Sequence, residues 1–284
     1  VANFMMTYRR KRAVTMHVVH NSHLEGEVRP IAPLRASRRP VFENLPDFDA
    51  VVVLTNRQKA DVEALLGRSP NVRVVPNSRD LDSTAPHDAD RPIGRGIVLA
   101  SLTSRKRVDH AVRAVLHAAE IGDEPVTLDV FGDGEERERL QGMLDHLGAG
   151  ETVRLHGHDP RAREHLADAS FIVLTGRTEG FPLVLVEAMA AGCIPIAYDV
   201  PYGPADIISH GRNGFLVPTG DEAGLTEAIV ALQRMSHRKV ASLRRRARQA
   251  AAQFSDSAVT ATWAREMRLA DARKRAAWSL TQAG

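Results

Sequence analysis

The sequence predicts an α/β protein with two parallel sheets of the doubly wound kind, the second complete and the first partial. Three observations carry this. Short apolar runs alternate with stretches of helical periodicity along most of the 284 residues, the pattern of strand, crossover helix and parallel strand. The runs are rich in Val, Ile and Leu with little polar alternation, as expected of strands covered on both faces. Between Pro76 and Gly96 the apolar pattern stops, which marks a linker.

Taken in order, the first run is Val14 to Val19, entered directly from an apolar-basic stretch, Val1 to Arg12. The chain opens on Val1, and the expectation is a longer protein that has lost its beginning. Ala50 to Leu54 and Val72 to Val75 follow. Three strands are too few for a complete Rossmann-like half, so residues 1–80 are read as a partial first domain and 81–95 as the linker. Six further runs come next: Ile97 to Ala100, Val126 to Phe131, Thr152 to Leu155, Phe171 to Leu174, Ile194 to Tyr198 and Phe215 to Val217. They are enough for a complete second domain over residues 96–254. From Asp221 the chain turns helical and basic, with Arg244, Arg245, Arg246 and Arg248 in one helix and Trp263 and Trp278 in the next. Residues 255–284 are expected to form a helical segment that returns to the first domain.

Composition excludes several classes. With 43% hydrophobic residues the chain can build cores, so disorder is ruled out for most of it. Lys and Arg exceed Asp and Glu by only three, and aromatic residues are 5%, so nucleic acid is not an expected partner. The single cysteine, Cys193, lies in an apolar segment and is read as a small core residue of a protein in a reducing, cytoplasmic compartment. No apolar run approaches the roughly 18 residues of a membrane span, although the Arg-rich helix leaves room for peripheral contact with the inner membrane face. A solvated charged face is the plainer reading of that helix. A homo-oligomer is compatible with the sequence.

The most informative segment is Thr178-Glu-Gly-Phe-Pro-Leu-Val-Leu-Val-Glu-Ala-Met-Ala-Ala191, just after the run Phe171 to Leu174. Pro182 suits the first helical position, because its fixed φ fits and its missing N–H had no partner there. A helix therefore begins at the carboxyl end of a parallel strand, where open α/β sheets bind ligands and free amides attract phosphate. Gly180 would let a ligand approach the backbone. Glu179 and Glu187 bracket the turn as E-x7-E. An unpaired carboxylate beside apolar residues is costly unless polar groups satisfy it, and sugar hydroxyls would do so. Spacing alone equally allows a helix-dipole acid at Glu179 and an ordinary salt bridge at Glu187.

This segment resembles the E-x7-E signature of the retaining glycosyltransferases of the GT-B fold usually called family 4. Tyr198-Asp-Val-Pro-Tyr-Gly-Pro-Ala-Asp-Ile-Ile, Gly211-Arg-Asn-Gly-Phe-Leu-Val, His20-Asn-Ser-His-Leu, Val52-Val-Leu-Thr-Asn-Arg-Gln-Lys-Ala-Asp-Val and Val74-Val-Pro-Asn are similar to its teichoic-acid branch, the poly(glycerol-phosphate) α-glucosyltransferases. The resemblance runs from about residue 14 to 270 and implies two Rossmann-like domains and a UDP-sugar as donor substrate. No cofactor or metal is expected beside it.

By that resemblance, Glu179 would hold hydroxyls of the donor sugar and Glu187 the nucleotide ribose. The amides of Gly180, Phe181 and Leu183 would face the donor. Lys106 matches the lysine that neutralises the diphosphate, unless it is simply a solvated residue of the run Arg105-Lys-Arg. His23 matches a histidine near the reacting sugar, with a loop histidine as the alternative, and His158 matches the loop at the base. One departure stands out: the family usually has an arginine where this chain has Ser101, and a hydroxyl brings neither charge nor a forked donor set. Arg105 or Arg107 would have to compensate.

Three D-x-D strings, Asp47 to Asp49, Asp80 to Asp82 and Asp88 to Asp90, follow no apolar strand and read as solvated loop acids. Phe131-Gly-Asp-Gly lacks the third glycine of a dinucleotide fingerprint and reads as a cap for the next helix. The expected activity is transfer of a hexose, glucose or N-acetylglucosamine, to an acceptor hydroxyl on a cell-wall polymer or small molecule. The rival is a truncated, non-catalytic homologue that binds a nucleotide sugar or stabilises a partner, and the partial first domain and Ser101 both favour it.

Overall fold

The computed structural model describes residues 13–24, 33–81 and 91–282, with side chains through 279. Val1 to Arg12, most of the expected linker and the string Asp88 to Asp90 lie outside the described residues, as does Asp82.

All nine apolar runs are strands, and every pairing between them is parallel. The first sheet holds β1 (Met16–Val19), β2 (Ala50–Val53) and β3 (Val72–Val74) in that order. The second holds β4 (Arg95–Leu99), β5 (Thr127–Phe131), β6 (Val153–Gly157), β7 (Phe171–Leu174), β8 (Ile194–Tyr198) and β9 (Phe215–Val217), ordered β6-β5-β4-β7-β8-β9. This is a doubly wound sheet whose winding reverses between β4 and β7, and the loops leaving those two strands flank the crevice where such sheets bind ligands.

Helices α1 (Arg39–Phe42), α2 (Asn56–Leu66), α3 (Val108–Ile121), α4 (Arg137–Leu147), α5 (Leu183–Ala190), α6 (Pro204–Ile207), α7 (Glu222–Gln233), α8 (His237–Ala251) and α9 (Asp256–Gln282) complete the described elements named here. Their ends follow local chemistry. Thr55 Oγ1 accepts from the Gln58 amide at 3.0 Å to cap α2, and Asp221 Oδ1 accepts from the Gly224 amide at 2.9 Å to cap α7, each satisfying an amide that has no intrahelical acceptor. Gly148 ends α4 in the left-handed conformation, φ 60°, at little steric cost.

The second sheet sends alternate side chains to two cores. Val98, Leu128, Val130, Val173 and Ile196 pack with α3, α4 and α7, whereas Ile97, Phe131, Ile172 and Leu174 pack with α5 and α8. Helix α5 is apolar on nearly every side because it lies between the sheet and α8, and Leu185 and Met189 are fully buried. Each such side chain contributes about 1.5–3 kcal/mol. The Arg run is not wholly a solvated face: Arg244 is buried and its Nη2 donates to Ser170 Oγ at 3.0 Å. Cys193 is fully buried, and that burial pushes its thiol up to about 12.

The first sheet also divides by period two. Val19, Val51 and Val53 face Val41, Phe42, Leu45 and Val62, while Val52 faces Val259 and Trp263 of α9. Helix α9 is fastened there by Arg73 Nε to Glu266 Oε2 at 2.5 Å and by Lys274 Nζ to Asp49 Oδ2 at 2.7 Å. Asp49, from one of the D-x-D strings, is therefore a structural anchor.

Candidate functional site

The loops leaving β4, β5, β6 and β7 enclose a cleft of about 580 Å³ beside the winding reversal. Ser101, Gly132, His158, Arg163, Leu183 and Glu187 are among its lining residues. Ser101 and His158 are exposed into it.

The β4 and β7 loops are sewn together. Thr175 Oγ1 donates to the carbonyls of Lys106 and Arg107 at 3.0 and 2.7 Å, the Arg177 amide donates to Arg105 O at 2.9 Å, and Arg105 Nη1 donates to Thr178 O at 3.2 Å. On the far side, the Glu179 amide donates to Pro201 O and the Tyr202 amide donates to Glu179 O. Arg107 sits at φ 46°, a strained conformation for a non-glycine residue that the surrounding bonds hold in place.

This stitching brings Lys106 Nζ to 2.6 Å from Glu179 Oε1, with the two side chains 16% and 9% exposed. The lysine thus reaches the turn before α5. A Cβ on Gly176 would lie 2.6 Å from the same carboxylate oxygen, so the glycine leaves room for the pair; nothing in its sequence context singled it out. Among the described residues, the amides of Gly180, Phe181 and Leu183 donate to no protein acceptor. Amides without an acceptor ahead of a helix carry partial positive charge, and these follow directly on Glu179, the partner of Lys106.

Several expectations need correction. Pro182 is the residue flanking α5, with φ −74° and ψ 93°, and the helix begins at Leu183. Neither glutamate is unpaired: Glu179 accepts from Lys106, and Glu187 takes the salt-bridge alternative left open by its spacing, between Arg79 Nε at 2.6 Å and Arg163 Nε at 2.9 Å. A ribose at Glu187 would share or displace those guanidinium groups. Gly180 is approached by protein backbone: a Cβ there would lie 2.4 Å from His20 O, so the first domain closes over this turn. His23 is fully buried, stacked on Tyr202 at 5.7 Å and tilted against Phe42 at 5.3 Å, and it does not line the cleft. Gly132 and Gly134 do not cap α4, whose flanking residue is Glu136. They let the β5 turn approach the β4 loop, since Cβ atoms would meet Ala100 O at 1.8 Å and Leu102 O at 2.3 Å.

The two sheets also meet beside the site. Arg57 pairs with Asp199, the Asn56 amide donates to Asp206 Oδ1 at 3.0 Å, and Tyr202 Oη donates to Asp61 Oδ2 at 2.7 Å. A cluster that sequence reading missed sits at the start of α3. His110 Nδ1 is 2.9 Å from Tyr198 Oη and 3.1 Å from Glu222 Oε1. Burial lowers the His110 pKa although Glu222 and Asp109 oppose it, and burial together with Glu222 raises that of Tyr198.

The sequence model of the family described as glycosyl transferases group 1 matches residues 95–254, the whole of the second sheet and the cleft loops. The chain belongs to this family. A relative, an exopolysaccharide phosphotransferase of Streptomyces coelicolor, is 38% identical over 217 residues, covering 74% of this chain and 22% of that protein. The poly(glycerol-phosphate) alpha-glucosyltransferase of Bacillus subtilis is 26% identical over 220 residues, covering 76% of this chain and 32% of its own length. Among solved structures, a mutant of Staphylococcus aureus TarM in complex with fondaparinux, alpha-GlcNAc-glycerol and UDP superposes with a TM-score of 0.79. Its identity is 22%, with 92% of this chain and 52% of that one covered. That likeness shows the GT-B arrangement. The chain spans less than half the length of these curated relatives. No helix among the described residues is long and apolar enough to cross a membrane.

Proposed function

We propose that this glycosyltransferase moves a hexose, glucose or N-acetylglucosamine, from a UDP-sugar to an acceptor hydroxyl with retention of configuration, and that the acceptor is a cell-wall polyol-phosphate polymer. The observation that carries the reading is the pairing of Lys106 with Glu179 in the turn before α5, a turn whose Gly180, Phe181 and Leu183 amides have no protein acceptor and whose Leu183 lines the cleft. The bond from the anomeric carbon to the diphosphate breaks while the acceptor oxygen bonds to the same face. The acceptor proton leaves with the departing phosphate oxygen. Negative charge grows on the diphosphate, and preorganised donors aimed at it lower the barrier without reorganising. In this reading Lys106 and the amides supply that charge stabilisation, so no divalent ion is assigned a role. Glu179, released by a lysine that turns to phosphate, accepts from sugar hydroxyls. Ser101, His158 and Glu187, all lining the cleft, are assigned to the nucleotide end. The likeness to a polyol-phosphate glucosyltransferase supports the acceptor class.

The test is Glu179→Ala. Transfer from UDP-glucose or UDP-N-acetylglucosamine onto a poly(glycerol phosphate) acceptor is expected to fall to background while UDP binding persists and the protein stays folded, its thermal midpoint lowered only by the loss of the Lys106 pair. Unchanged turnover would remove Glu179 from the site, and absence of UDP binding by the parent protein would refute the whole reading.

A further inference from the structure

A second cavity, of about 500 Å³, opens between the turn at Gly211 and the first half of α8, lined by Arg238, Lys239, Arg246, Ser236 and Ser242 with Met235 and Leu243. It does not belong to the donor cleft. The Gly211 turn precedes β9, and Arg244 on α8 reaches Ser170, just ahead of β7. The cavity therefore sits at the edge where strands begin, whereas the cleft lies where they end. Strands of four or five residues separate the two by roughly 15 Å.

Its chemistry is one-signed. Arg238, Ser242 and Arg246 follow at intervals of four and share one helix face, and Lys239 adds a third cation to the same cavity. Among the described residues no carboxylate pairs with Arg238, Lys239 or Arg246. The Arg246 Nε is buried and donates to no protein acceptor, an arrangement that costs free energy until an acceptor arrives. Ser236 makes no capping bond with its side chain, so its hydroxyl is uncommitted. Elsewhere on the surface, arginines such as Arg113 and Arg163 are matched to carboxylates.

We infer that this cavity is a phosphate-binding site for an extended polymer of phosphodiesters. Guanidinium groups fork across phosphate oxygens, and the volume accommodates a phosphate with part of the polyol or sugar it links. A lipid surface fits less well. Helices that lie on membranes present large apolar side chains beside their basic ones, and none of the exposed large hydrophobic residues falls between 235 and 246. The site's ligand class rests on the proposed acceptor, but its binding is independent of transfer.

The experiment measures binding of a soluble poly(glycerol phosphate) chain to the intact protein without donor. It compares the parent with Arg246→Gln and with the double variant Arg238→Gln, Lys239→Gln. Loss of charge-assisted contacts is expected to weaken polymer binding at least about tenfold, with UDP affinity and thermal midpoint unchanged and with inorganic phosphate competing against the polymer. Equal polymer binding by parent and variants overturns the inference. Selective loss of binding to phosphatidylglycerol vesicles, with polymer binding intact, also overturns it, in favour of a membrane contact. Because UDP binding is read separately, failure at this cavity is distinguishable from failure of the donor site.

Discussion

Replacing Lys106 by alanine separates its pairing with Glu179 from its proposed contact with the donor diphosphate. In the described state its ammonium neutralises a Glu179 carboxylate that is only 9% exposed. Removing one partner of a fully buried pair costs about 3–5 kcal/mol. Partial exposure here reduces that to about 2–3 kcal/mol, which for a chain of this size lowers the thermal midpoint by roughly 4–12 °C. Loss of the diphosphate contact should add a separate effect of about 1.5–3 kcal/mol on UDP affinity, or roughly tenfold to hundredfold in Kd. Differential scanning calorimetry and titration calorimetry read the two independently. The double variant Lys106→Ala, Glu179→Ala should recover most of the stability, since no buried carboxylate remains, and should recover none of the affinity. An unchanged Kd for UDP in the single variant would refute the phosphate role, and a double variant as unstable as the single one would refute the buried-pair argument.

Other substitutions test the surroundings. Gly180→Ala places a methyl 2.4 Å from His20 O and should destabilise by about 1–3 kcal/mol through forced backbone shifts; a parental thermal midpoint would show that the domains do not close there. Ser101→Arg adds a forked cation to the cleft wall and should tighten UDP binding about tenfold, whereas a neutral or weakened Kd would mean that Arg105 or another group already serves. Burial pushes up the carboxyls of Asp49 and Glu266, but hydrogen bonds from Lys274 and Thr15 to the first, and from Arg73 to the second, outweigh it, so both pKa values lie below the ordinary range. Groups depressed on folding contribute stability above their unfolded pKa and lose it as pH falls through the folded value. The hold of α9 should therefore weaken below about pH 4, followed by Trp263 fluorescence in a Trp278→Phe background. Lys274→Met should flatten that profile, and an unaltered profile would count against the assignment.

The strands were legible because their signal is local: a run such as Phe171 to Leu174 must be covered on both faces wherever it lies, and all nine runs became strands. The start of α5 could be read to within one residue, since proline and glycine restrict φ whatever the surroundings. Strand order, and with it the location of the crevice between β4 and β7, depends on which distant segments pair.

The partners of charged groups were equally hidden. Glu187 could be placed on a helix, but its neighbours Arg79 and Arg163 are 108 and 24 residues away in the chain. Gly180 looked like a door for ligand and proved to be a seat for the His20 carbonyl, while His23, read as a histidine near the reacting sugar or a loop residue, proved to be fully buried. Sequence alone determined the elements and the candidate donors, because hydrophobic period and backbone restriction act over a few residues. Only the tertiary structure decided which amides lack a protein acceptor, which carboxylates are paired and which cations of α8 line a common cavity. Those outcomes depend on distances between segments that local residue preferences do not fix.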